Sequence, residues 1–120
     1  MKIFVPLIAA IGIFWMNNVS AADLSKLVEK NLHFTLKTEN LMIKADAISL
    51  AGELKMDEFV IPIMEVLKSS ENKELRILAA IVLYKINDKR GLFAIKQAIH
   101  YDTERCVRWV CSNLLVSDLN

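Results

Sequence analysis

Few residues in this 120-residue chain have the types and spacing for chemistry, and each group has a plainer explanation beside it. Cys106 and Cys111 are the only cysteines, five positions apart in a stretch that reads as helix. Five residues at about 1.5 Å each separate them by roughly 7.5 Å along the axis and turn them about 140° apart. A disulfide needs Cα atoms within about 7 Å and converging side chains, so the pair is expected to stay unbridged, with at least one thiol buried. The alternative is an intermolecular bond through Cys106. Zinc would need a second ligand cluster, and the sequence has none. His33 and His100 stand alone, without metal-ligand spacing or a neighbouring nucleophile; His100 ends a helix, where the dipole favours a cation. Ser49, Ser112 and Thr35 have no partnered base, and three glycines make no phosphate-binding loop. Asp57-Glu58 opens a helix, which accounts for the acidic pair. Lys85, Lys89 and Arg90 cluster around one turn and read as a solvated edge, or as a contact for an anion or an acidic partner. The residue inventory favours binding over catalysis.

Charge and the N-terminus narrow the classes further. "MKIFVPLIAAIGIFWMNNVSAAD" has Lys2, then an apolar run from Ile3 to Met16, then Val19-Ser20-Ala21 with small residues where a signal peptidase cuts. The run is about fourteen residues and a bilayer span takes roughly twenty, so a cleaved signal peptide over residues 1–21 is expected rather than an anchor. The expected cut falls between Ala21 and Ala22; no cysteine sits near it, which argues against a lipoprotein. Lys2 is the one charge in that segment, so its loss leaves fourteen basic and fourteen acidic residues. A neutral chain has no overall field to attract nucleic acid or anionic lipid. The expected location is exported, in a bacterial periplasm or secreted, with no stable membrane insertion after cleavage.

The elements that position these residues repeat. "IKADAISLAGEL" at Ile43, "LRILAAIVLYKI" at Leu75 and "VRWVCSNLLVSD" at Val107 start 32 positions apart. Lys44, Arg76 and Arg108 coincide in this register, as do Ala47, Ala79 and Cys111. "FVIPIMEVLKSS" at Phe59 matches "GLFAIKQAIHYD" at Gly91 at the same offset. The spacing predicts helices over about Glu39–Leu54, Asp57–Lys68, Asn72–Ile86, Lys89–His100 and Thr103–Val116. Leu24, Leu27, Val28, Leu32 and Leu36 predict a leading helix over residues 24–37 that covers the first repeat. Repeat one is then 38–69, repeat two 70–101, and 102–120 a terminal half-repeat, together one domain over 22–120. Asn87-Asp88 can cap the helix after it, and Pro62 falls early in its helix, where a missing N–H costs little.

The stretch Leu75–Ile86 decides the fold class. At 100° per residue from Arg76, Leu75, Leu78, Ala79, Val82, Leu83 and Ile86 share one face; Ile77, Ala80, Ile81 and Tyr84 share another, with Arg76 and Lys85 in the seams. A helix with two apolar faces packs on both sides, as in the middle of a stack. In the last unit the second face becomes Trp109, Ser112, Asn113 and Val116, and the two polar residues are what a terminal repeat needs. The expectation is an all-α, short right-handed α-solenoid of antiparallel helix pairs with period 32.

"LRILAAIVLYKINDKRGLFAIKQAI" resembles a short HEAT-like repeat of about thirty residues, of the kind also found in phycobilin-lyase-type proteins. The Arg opening helix A, the pair Ala79-Ala80, the Asp88 turn and the apolar stripe of helix B carry the likeness, over about Thr38–Val116. A tetratricopeptide array is the rival, though its period is 34 and the first unit lacks its Gly, Tyr and Ala positions. The resemblance implies that Asp88 bridges units with Arg76 or Arg108. It also implies a partner surface on the concave side lined by B helices, pairing Glu58 with Arg90, Ile61 with Phe93, Glu65 with Gln97, and Lys68 with His100. Phe93, an aromatic flanked by polar residues, has the character of an interface anchor, or else fills the inter-repeat core with Ile61. Trp109 packs under the C-terminal tail or forms an exposed patch. The functional expectation is a non-catalytic, exported protein-interaction scaffold without cofactor or metal. The alternatives are a lyase-like or chaperone-like handler of a chromophore or other small ligand, and a weakly self-associating structural subunit.

Overall fold

The computed structural model describes residues 21–117, with side chains from residue 26 onward. The signal-peptide expectation lies outside the described residues, apart from Ala21. The chain divides into two compact units, Met1–Phe34 and Thr35–Asn120. The described residues are helical throughout and contain no strand. α1 (Ala21–Leu36) begins at the residue before the expected cut, and its last two residues belong to the second unit. Of the expected stripe, Leu32 and Leu36 are buried and Val28 half-buried, whereas Leu27 faces solvent; Phe34, outside the stripe, is exposed as well.

The second unit holds α2 (Leu41–Glu53), a 3-10 turn (Asp57–Phe59), α3 (Val60–Ser69), α4 (Lys73–Ile86), α5 (Lys89–Tyr101) and α6 (Arg105–Val116). Local chemistry sets these boundaries. The Asn40 side chain accepts from the backbone N–H groups of Met42 and Ile43, and Asn72 does the same for Leu75, each satisfying donors that a helix start leaves unpaired. Asp88 caps α5 by accepting from Arg90 N–H. Pro62 is the third residue of α3, where its missing N–H would have had no partner inside the helix.

Several of these devices recur 32 residues apart. Thr38 Oγ1 and Ser70 Oγ each accept from the N–H two residues on at 3.3 Å, and Asp102 Oδ1 does so at 2.9 Å. Lys55 (φ 48°) and Asn87 (φ 61°) leave their helices in the left-handed region. Arg76 Nη1 donates to Ser70 O and Arg108 Nη1 to Asp102 O, both at 2.7 Å.

The core gathers on α4, which packs against α2, α3, α5 and α6. Leu75, Ala79, Val82 and Leu83 are buried together with Ile48, Phe59, Ile63, Ile95, Val107 and Cys111. Two glycines let neighbours come close: a Cβ on Gly52 of α2 would lie 3.0 Å from both Val82 methyls, and one on Gly91 of α5 would lie 3.0 Å from Leu83. The other face of α4 is less covered. Ala80 is buried, but Ile81 is 38% exposed, because it sits about 40° from the solvated Lys85 seam.

The Arg76 seam behaves differently. Arg76 is buried, and its Nε and Nη2 grip the Asp102 carboxylate at 2.9 and 3.0 Å. This corrects the expectation for Asp88, whose carboxylate is engaged instead by Arg90 Nε and Nη2 at 2.9 and 3.0 Å. Asp88 caps α5 and is held by a side chain two residues away. Asp102 occupies the turn between α5 and α6, which the packing brings to the start of α4.

Candidate functional site: a groove between α3 and α5

Residues that leave the core on α3 and α5 line a groove of about 580 Å³. On α3, Ile63, Val66 and Leu67 face inward, so Ile61, Glu65 and Lys68, one turn apart along the opposite edge, face out. On α5, Ile95 and Ala98 are buried, which leaves Phe93, Gln97 and Tyr101 in a row four residues apart on the outer side. Ala94 and Ala98 are small, and they leave the space between the two rows open. Ile61 is 62% exposed, Phe93 60% and Tyr101 78%. Three large apolar or aromatic side chains thus stand in solvent around one concavity.

The polar members are already engaged or flank the rim. Glu65 accepts from Ser69 Oγ at 2.8 Å. Asp102, at one end, is committed to Arg76, and the hydrogen bonds to that carboxylate raise the Arg76 pKa further above its ordinary value. No histidine or cysteine lines the groove. Among the described residues no group of three or more His, Cys, Asp or Glu is placed to hold a metal ion, and no helix is long and apolar enough to cross a membrane. The arrangement is suited to holding an apolar side chain or ring, with Lys68, Glu65 and Gln97 available to polar groups around it.

Of the residues expected on the partner surface, Ile61, Glu65, Phe93 and Gln97 meet in the groove. The inter-repeat-core alternative for Phe93 and Ile61 does not describe side chains that stand this far in solvent. Glu58, Arg90, His100 and Trp109 do not line it. Arg90 is paired with Asp88, whose carboxyl is lowered to about 2 by hydrogen bonds from the Arg90 side chain and then its backbone N–H. His100 is exposed and meets Tyr101 edge to face, ring centres 6.3 Å apart. Trp109 is 66% exposed on α6. Tyr101 and Met64 line the groove outside the expected surface. Tyr101 continues the four-residue spacing of Phe93 and Gln97, one residue past the expected helix end at His100.

The thiols lie elsewhere. Cys106 is exposed and Cys111 buried, both unpaired. Burial, and after it the negative charge of Asp102, pushes the Cys111 thiol up to about 11. A thiol so placed stays protonated near neutral pH and is a poor nucleophile.

Compared with protein-family profiles, curated proteins and solved structures, the chain matches none.

Proposed function

We propose that this protein is a non-catalytic, exported module built from HEAT-like repeats of 32 residues, and that it binds a partner protein in the α3–α5 groove. The exposure of Ile61, Phe93 and Tyr101 around one concavity carries this reading. Exposed aromatic anchors clustered in a pocket are the pattern of interaction hot spots, and a helical scaffold that holds them in place spares the ordering entropy that binding otherwise costs. The repeat reading is supported by the 32-residue recurrence of the turn hydrogen bonds, the left-handed residues and the Arg-to-carbonyl bonds. Export rests on the N-terminal sequence alone, and a mature chain starting at Ala22 in mass spectrometry is the expected sign of it.

The groove reading is tested by cross-linked capture from the cell envelope, comparing the tagged protein with an Ile61→Ala, Phe93→Ala double variant. Both residues are exposed, so the variant should melt like the parent; it should lose a partner that the parent retains. A partner held equally by both would move the site to another surface.

The groove volume gives the small-ligand alternative its one support, since pockets for small molecules span about 300–1,000 Å³. Saturable binding of an apolar dye, abolished by Phe93→Ala and with no protein captured, would favour that reading.

A further inference from the structure

α4 lies between α2 and α6: its Val82 meets Gly52 of α2, and its Tyr84 hydroxyl lies 3.3 Å from Ser117 Oγ at the end of α6. The sides of α2 and α6 turned away from α4 are both exposed; that of α2 is mainly apolar, and that of α6 carries Trp109 and Val116 beside the polar Ser112 and Asn113. On α2 and its C-cap residue, Met42, Ile43, Leu50 and Leu54 stand in solvent, 75%, 46%, 43% and 54% exposed. Asp46 and Glu53 fall within the same arc of about 120°, whereas the single lysine of α2, Lys44, is on the opposite side and half-buried. On α6, Trp109 and Val116 are exposed, with Arg105 beside them on the wheel, about 20° from Val116 and about 40° from Trp109. No acidic residue occurs anywhere in α6.

One end of the row therefore offers an acidic apolar face, and the other a mixed face whose exposed charge is Arg105 and whose large apolar members are Trp109 and Val116. An interaction between them satisfies both: Trp109 and Val116 cover Leu50 and Leu54, and Arg105 comes within reach of Asp46 or Glu53. The chain already packs helices 32 positions apart in this way, α2 on α4 and α4 on α6. We propose that α6 of one copy docks on α2 of another, so that the protein associates with itself head to tail. Such a contact joins two different surfaces and leaves one of each free, so it propagates into short chains instead of stopping at a symmetric pair. Two single-helix faces make a small interface, so the association is weak and salt-sensitive. It does not use the α3–α5 groove and stands apart from what the groove binds.

Sedimentation of the protein purified after export, under reducing conditions, tests this. The average mass should rise above that of one copy as concentration increases from about 10 μM to about 1 mM, a range set by weak affinities, and fall back in high salt. Trp109→Glu, which spoils the α6 face, should be monomeric alone. So should an Asp46→Lys, Glu53→Lys double variant, which reverses the α2 face. Mixed in equal amounts they should form dimers and nothing larger, since each supplies the face the other lacks. Where a melt shows a variant unfolded, Arg105→Glu or Leu50→Ser takes its place. A wild-type chain that stays monomeric to about 1 mM overturns the proposal. So does self-association of the α2 variant alone, which would mean α6 meets α6, and so does a mixture that fails to pair while the wild type associates.

Discussion

Single side chains decide most at Arg76. Its guanidinium is buried and its charge is answered by one carboxylate, Asp102, with further bonds to the carbonyls of Ser70 and Glu71. Replacing Asp102 by Ala should cost about 3–5 kcal/mol in urea unfolding, because a buried charge is left without its partner. Lys55 offers the opposite case. It adopts φ 48°, where a side chain clashes with the backbone, while its counterpart Asn87 belongs to a type that tolerates this conformation. Lys55→Gly should raise stability by about 1 kcal/mol, read as an increase of roughly 4–8 °C in Tm. The sequence announced Asn87 as a turn residue, but nothing in it marked Lys55, whose conformation is imposed by the turn that joins α2 to the next helix. Asp102 was equally hidden. It is 26 positions from Arg76, and which acidic residue reaches that guanidinium depends on how α5 returns past α4, not on local spacing.

At the scale of elements, α4 carries the fold. Leu83 is fully buried and lies against the close approach at Gly91, so Leu83→Ala should cost about 2–5 kcal/mol. Ile81→Ala, two residues away, should cost well under half of that, because the side chain is already partly in water. Equal losses would mean that the two faces are packed alike. Helix positions were legible because caps are local: Asn72 and Asp88 announce their helices by residue type and place. The groove was half legible. Ile61, Glu65, Phe93 and Gln97 followed from aligning the two B helices, but the gap between them depends on Ala94 and Ala98 being small where the helices pack. Arg90 and Glu58 share the B-helix register, yet Arg90 sits at the first turn of α5, held by Asp88, and Glu58 lies in the 3-10 turn that precedes α3.

For the molecule as a whole, the two thiols report on integrity. A maleimide at pH 7 should modify Cys106 alone in the folded protein and both cysteines after denaturation, counted by mass. Because folding raises the Cys111 thiol to about 11, above its ordinary value of 9.0, it favours the protonated form. That contribution to stability is complete below pH 9 and fades as pH climbs toward 11, so the thiol should become exposed more readily in that window. Rapid labelling of both sites at neutral pH would show that α6 is loosely held.

The bond between Arg76 and Asp102 has a mechanical consequence. It joins the first turn of α4 to the residue just after α5, and so fastens shut the open ends of that helical hairpin. Tension applied at the C-terminus would meet α6 first, held by apolar contacts and by the Arg108 bond to the Asp102 carbonyl. With α6 peeled away, the load would arrive at Asp102 itself. There the clasp is pulled across both of its hydrogen bonds together, and the α4–α5 hairpin should yield as one piece rather than unravel turn by turn.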